Sequence, residues 1–168
     1  PLTFSESTLS IAAADFTNQG TATGCVFTPS ASTGTAVNVV VSGCSEGTVI
    51  PRLLAGTVTD ASGNAGPAAN LDAATVTIDR TPTTASWTPP ASPTSSASQA
   101  FTLTFADAVT GIEAGDFTNT GTATGCTFSP SAASGTSVVV TVTGCSEGTL
   151  APVLAAGGVT DAAGNTGP

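Results

Sequence analysis

Four cysteines are the residues of this sequence best suited to chemistry, and they recur as two pairs with one spacing. Cys25 and Cys44 are 44 − 25 = 19 positions apart, and Cys126 and Cys145 are 145 − 126 = 19 apart. A zinc site needs four ligands, and no histidine is present to complete a site with two thiolates. The spacing therefore predicts the disulfides Cys25–Cys44 and Cys126–Cys145, with free buried thiols as the alternative. Because disulfides persist outside the reducing cytosol, they predict an extracellular protein, either secreted or at the cell surface.

Groups suited to acid, base or nucleophilic catalysis are scarce. The sequence has no histidine, tyrosine or methionine, and its only basic residues are Arg52 and Arg80. Neither a Ser-His-Asp nor a Cys-His arrangement can be assembled from these residues. Paired carboxylates are the remaining option, but Glu46 and Glu147 each lie in a CSEGT segment that is typical of a solvated turn. We therefore predict that the protein is not an enzyme and requires no cofactor.

Oxygen-bearing side chains near predicted loops form a second candidate set, for calcium. Calcium takes six to eight oxygen ligands, which carboxylates and backbone carbonyls can provide. The predicted ligands are Asp79, Asp107, Asp116, Asp161 and Asn165. The alternative is structural, because the Asp and Asn of DAAGN can bond the backbone of a tight hairpin and the Asp of DFTN can cap a turn.

All of these candidates lie on two similar blocks of sequence. At an offset of 126 − 25 = 101, residues 2–67 align with residues 103–168 without a gap, and about two-thirds of the positions are identical. Such a period matches a whole small domain of about 100 residues. We predict two domains, residues 1–80 without a first strand and residues 81–168 without a last strand, as part of a longer array. The alternative is that a strand near residues 73–79 is donated between subunits, which would then polymerise by strand addition.

The local pattern predicts β-strands throughout. FTLTF at residues 101–105, VVTVT from Val139 and ATVTI ending at Ile78 alternate apolar and polar residues. No stretch keeps helical spacing, and glycine or proline interrupts the pattern about every ten residues. A full unit is predicted to contain strands near residues 85–88, 99–105, 116–119, 123–129, 137–143 and 149–155, with the last one near residues 73–79 of the first block. The predicted fold class is all-β, with tandem immunoglobulin-like β-sandwiches of about seven strands and one intra-domain disulfide each.

The segments LTFSESTLSIAAADFTN, FTLTFADAVTGIEAGDFTN, VTDASGN, VTDAAGN and VTIDRTPT resemble bacterial immunoglobulin-like tandem repeats of secreted adhesins and surface filaments. The resemblance covers essentially the whole chain. It implies β-sandwich units joined by short linkers, and calcium that stiffens the junctions, where Asp79 would approach two loops of the following unit. The chain departs from that family at Arg80 in the linker and in its extra cysteine pairs.

Composition narrows the choice of partners and functions. The net charge is −9, so a nucleic acid or an anionic lipid surface would be repelled. The predicted partners are neighbouring identical repeats or subunits of a fibre, with no nucleic acid and no direct membrane insertion. We predict a structural repeat unit of an extracellular stalk or filament. The alternatives are an adhesin module that binds carbohydrate or protein, and an accessory domain of a secreted enzyme.

Overall fold

Short alternating segments fold as antiparallel β-strands throughout the computed structural model, which describes all residues from Pro1 to Pro168. The only helical segments are two 3-10 turns, Ala13–Asp15 and Ala114–Asp116. Neither turn has the length or the apolar character that crossing a membrane requires. The prediction of an all-β chain is confirmed. The chain divides into unit 1, Pro1–Asp79, and unit 2, Arg80–Pro168.

Unit 1 consists of short strands in several small sheets. Its strands are β1 Leu2–Leu9, β2 Phe16–Asn18, β3 Val26–Pro29, β4 Gly34–Val37, β5 Val39–Ser42, β6 Gly47–Val49, β7 Pro51–Leu53, β8 Val58–Asp60, β9 Ala65–Gly66, β10 Leu71–Asp72 and β11 Val76–Ile78. One sheet has the order β4-β1-β8-β9 and another has the order β10-β7-β2. The remaining strands form the pairs β3-β5 and β11-β6.

Unit 2 repeats this plan with longer strands. Its strands are β12 Ala85–Thr88, β13 Ser98–Thr110, β14 Phe117–Asn119, β15 Thr127–Pro130, β16 Ser134–Thr143, β17 Pro152–Leu154, β18 Val159–Asp161 and β19 Thr166–Gly167. The main sheet has the order β15-β16-β13-β18-β19. β12 also pairs with β13, on the edge opposite β16. A second pair, β14-β17, completes the unit.

The core of unit 2 follows directly from the alternation in β13 and β16. Phe101, Leu103 and Phe105 are 6%, 0% and 4% exposed, while the threonines between them point outward. Val138 and Val140 of β16 lie opposite Leu103 and Phe101 and are equally buried. Burying each such side chain contributes roughly 1.5–3 kcal/mol, so this pair of strands carries much of the folding energy of the unit.

The structure differs from the expected strands in several places. β15 begins at Thr127 and not near residue 123, and β18 and β19 lie where no strand is predicted. Two further differences concern β13 and the segment of β17. β13 continues past Phe105 to Thr110, because an irregularity between Thr104 and Val109 returns Val109 to the core and brings it opposite Asp161 of β18. Bulges of this kind absorb extra residues without losing the inward face. The strand expected at residues 149–155 is reduced to β17 in unit 2. The matching segment of unit 1 contains a second strand, β6, in addition to β7. β6 forms there because β11 is its hydrogen-bonded partner.

Candidate functional site

The cysteines lie at the base of a β-hairpin, where the structure forms both expected bonds. Cys126 and Cys145 are joined with their Cα atoms 4.3 Å apart, and Cys25 and Cys44 are joined at 4.2 Å. In unit 2 the pairing of β15 with β16 places Thr127 opposite Thr143, so that the two cysteines lie just past the end of this ladder, offset from each other by one residue. Adjacent positions on paired strands are close enough for a disulfide without moving the backbone. No free cysteine remains, so these residues supply neither a nucleophile nor a thiolate ligand.

The CSEGT segment following each hairpin forms a turn held by its serine. The Ser146 N–H donates to the Thr124 carbonyl at 2.8 Å, and the Ser146 hydroxyl accepts from the Thr124 N–H at 3.0 Å. The same contacts join Ser45 to Thr23 in unit 1. Glu147 is exposed in this turn. The serine of this segment therefore closes a loop, whereas the side chain of Glu147 is exposed to solvent.

Asn119, at the end of DFTN, joins two loops of unit 2. Its side-chain amide donates to the carbonyls of Ala123 at 2.8 Å and Thr149 at 3.3 Å. Its carbonyl oxygen accepts from the N–H groups of Gly121 at 3.1 Å and Ala151 at 2.7 Å. Both groups of the amide are fully used, which is the condition for a stabilising polar side chain at a partly buried position.

Asn18 makes the matching set of contacts in unit 1. It donates to Ala22 and Thr48 and accepts from Gly20 and Ile50. Sequence reasoning did not single out either asparagine. The available signal was the exact recurrence of DFTN at the 101-residue offset.

Asp161 and Asn165 of the calcium set lie together in the tight turn between β18 and β19. One carboxylate oxygen of Asp161 accepts from the N–H groups of Ala163 and Asn165, each at 2.9 Å. The other accepts from the Asn165 side-chain amide at 3.0 Å. Asp161 is 6% exposed, and Gly164 takes φ = +92° to close the turn. Asp60 and Asn64 form the same turn in unit 1.

These bonds favour the ionised form of both aspartates. The side-chain amide of Asn165, assisted by backbone N–H groups, holds the pKa of Asp161 below its ordinary value, although burial opposes the shift. Asn64 lowers the pKa of Asp60 in the same way. A carboxylate that accepts several N–H donors is stabilised in its charged state. In each turn the ionised carboxylate therefore holds the backbone in place by accepting hydrogen bonds from its N–H groups.

The other three calcium candidates, Asp116, Asp107 and Asp79, lie on different elements of the chain. Asp116 ends the 3-10 turn, and its carboxylate accepts from the Glu113 N–H at 2.7 Å. Asp107 is exposed on β13, and its backbone N–H donates to the Thr83 hydroxyl at 3.0 Å. Asp79 is exposed at the end of unit 1. No group of three or more acidic, histidine or cysteine side chains is placed to hold a metal ion, and the calcium site stays a prediction.

Each unit carries a shallow depression over its disulfide hairpin. In unit 2 it has a volume of about 700 Å³ and extends from Ala114 across Phe117 and Asn119 to Cys126. In unit 1 the matching depression has a volume of about 560 Å³. Both are lined by small, aromatic and uncharged polar residues. Such a lining offers contact area and no acid-base pair.

Comparison with known proteins gives no family for this chain. It matches no protein-family model, no curated protein and no solved structure.

Proposed function

We propose that the chain is a structural repeat of an extracellular stalk or filament, built from immunoglobulin-like β-sandwiches with one local disulfide each. In this proposal the chain performs no catalysis and its partners are neighbouring repeats of the same kind. The observation that carries the proposal is which residues are identical in the two units and which differ. Contacts that hold each unit together are duplicated, whereas most of the positions that differ between the two blocks are exposed or half-buried.

The duplicated contacts include every stabilising device described above. The disulfide, the asparagine between two loops and the Asp-Asn turn occur in both units at the same offset. Positions that differ lie largely on the surface, where Gln19, Val26 and Val40 of unit 1 correspond to Thr120, Thr127 and Thr141 of unit 2. Some exposed side chains are also shared, among them Glu46 and Glu147, and a binding site common to both units would have to use such positions. A repeated scaffold requires only shared internal contacts.

The disulfides also support the proposed location and role. They indicate an oxidising environment, which fits a secreted or cell-surface protein. Each closes a loop within a single hairpin, so a unit that is pulled from its ends cannot release the residues between its cysteines. This property suits a module that bears load.

Force spectroscopy on the whole chain, held at its two ends, tests this proposal. We expect two discrete unfolding events under oxidising conditions. After reduction each event should lengthen by about 60 Å, because 19 further residue steps at roughly 3.3–3.6 Å each replace a Cα–Cα distance of 4.2 Å in unit 1 and 4.3 Å in unit 2. The matched control is the Cys25→Ala/Cys44→Ala variant, in which only one of the two events should lengthen on reduction.

Two results would count against the structural role. Extension without discrete events would show that the units do not resist load. Saturable binding of the oxidised chain to a carbohydrate array or to a surface protein would instead favour the adhesin alternative.

A further inference from the structure

The connection between β12 and β13 is a surface segment without regular structure. It runs from Pro89 to Ala97, which is 97 − 89 + 1 = 9 residues, whereas β-hairpin loops commonly have about two to five. Residues 91–98 are all exposed. No backbone group of residues 89–97 is hydrogen-bonded to another backbone group. Because few bonds hold the segment to the rest of unit 2, it can open locally at little cost in free energy.

Proline and hydroxyl-bearing residues dominate this segment. Its prolines and hydroxyl residues are Pro89, Pro90, Ser92, Pro93, Thr94, Ser95 and Ser96, and no charged residue lies between Arg80 and Asp107. Serine and threonine mixed with proline are typical of extracellular stalks that carry sugars on hydroxyl oxygens. The chain has no Asn-X-Ser/Thr sequence, so an attached sugar would use a hydroxyl and not an asparagine.

The hydroxyl groups of the segment differ in how far the protein uses them. Ser96 Oγ donates to the Ser98 carbonyl at 2.9 Å and accepts from the Ser98 N–H at 3.4 Å. Thr94 Oγ1 accepts from the Ser96 N–H at 3.1 Å. The hydroxyls of Ser92 and Ser95 have no hydrogen-bond partner in the protein. These two serines are therefore the ones that an enzyme can engage without breaking a bond of the loop.

Ser95 is the more accessible of the two serines. Ser92 lines a cavity of about 440 Å³ that is also lined by Gly148 and Leu150, whereas Ser95 lies outside this cavity. The exposure of Ser95 therefore does not depend on what occupies the cavity. Thr104 of β13 is exposed as well, but it is paired with both β12 and β16. An enzyme that binds its acceptor as an extended peptide needs unpaired backbone groups, which Ser95 offers and Thr104 does not.

We propose that Ser95 is an O-glycosylation site and that Ser92 is a second acceptor. The donor is a glycosyl phosphate, either a nucleotide sugar or a lipid-linked sugar. The serine Oγ forms a bond to the anomeric carbon, and the bond from that carbon to the phosphate oxygen breaks. The phosphate leaves with the bonding electron pair, and the hydroxyl proton passes to a basic group of the transferring enzyme. The attached sugar shields the segment from proteases, which need the same open backbone.

This inference rests on the proposed extracellular location, because the glycosylation accompanies secretion, but its test concerns the segment alone. The chain is purified from the cells that naturally produce it, denatured and cleaved before aspartate, which releases residues 79–106 as one peptide. Electron-transfer mass spectrometry of this peptide should find whole sugar units on Ser95 and none on Thr104. The Ser95→Ala variant secreted by the same cells should lose the main sugar increment. The matched control Ser96→Ala should keep it, because the hydroxyl of Ser96 is already bonded within the loop.

Limited proteolysis of the folded chain provides a second measurement. A protease of broad specificity should make its first cut in unit 2 within residues 91–98 when the chain carries no sugar. The glycosylated chain should be cut there at least about tenfold more slowly, because the sugar blocks the open segment. An unmodified 79–106 peptide from the natural source, or sugar on Thr104, would overturn the proposal, and so would a first cut elsewhere in unit 2. The absence of discrete unfolding events under force would instead count against the structural role and would leave the glycosylation result intact.

Discussion

Removal of the disulfide in unit 2 should lower the stability of that unit by about 3 kcal/mol. The bond closes a loop of 145 − 126 + 1 = 20 residues. In the chain-entropy model, closing a loop of this length costs the unfolded chain about 11 cal/mol/K, which is about 3 kcal/mol at 25 °C. For a unit of 168 − 80 + 1 = 89 residues, the expected fall in melting temperature is roughly 12–24 °C.

The variant is Cys126→Ala/Cys145→Ala, and the assay is thermal and urea unfolding followed by tryptophan fluorescence. Trp87 is the only tryptophan and lies in unit 2, so its emission reports that unit. Alanine is preferred to serine because it places no hydroxyl at partly buried positions. Reduction of the unaltered chain should give the same shift.

The matched control is Cys25→Ala/Cys44→Ala, which removes the equivalent bond from unit 1. It should leave the Trp87 transition unchanged. A shift below about 4 °C in the unit 2 variant would mean that less than about 1 kcal/mol was lost. An equal shift in the control would mean that loop closure within unit 2 is not the cause. Either result would refute the entropy argument.

Three further outcomes follow from the polar contacts. Asn119→Ala should destabilise unit 2 by roughly 2 kcal/mol or more in urea unfolding, since it leaves backbone groups of two loops unsatisfied; Thr118→Ala, on the exposed face, should have no measurable effect. Asp60 and Asp161 have folded-state pKa values below the ordinary 3.8, so their stabilisation should be constant above about pH 5 and lost as the pH falls through 3.8 towards the lowered values; Asp161→Asn should flatten this acid dependence in melting experiments. For the predicted calcium site, millimolar calcium should raise the melting temperature of the native chain and not that of Asp161→Asn. If calcium leaves the melting temperature of the native chain unchanged, the calcium prediction is wrong and the Asp161 carboxylate serves only the hydrogen bonds of its turn.

The strand pattern was predictable because it depends on neighbouring residues. Alternation in residues 101–105 determines which side chains face the core once those residues are extended. The continuation of β13 to Thr110 was not predictable in the same way. It requires Val109 to pair with Asp161, which is 161 − 109 = 52 positions away.

The candidate site was only partly predictable for the same reason. The DAAGN turn is local, so sequence alone suggested that Asp161 and Asn165 could bond within it. Asn119 was missed because it accepts a bond from Ala151, which is 32 positions along the chain. Its type and neighbours gave no indication of that partner.

The sequence by itself determined the alternating pattern of the core strands, the two similar blocks and the spacing of the cysteines, because each of these is a property of order along the chain. The tertiary structure decided which of the repeated residues are covered. Leu2 and Leu103 have matching positions in their blocks, yet only Leu103 is fully buried. The physical reason is that burial depends on whether a second strand lies beside the first. In unit 2 that strand is β12, whose Trp87 lies opposite Leu103.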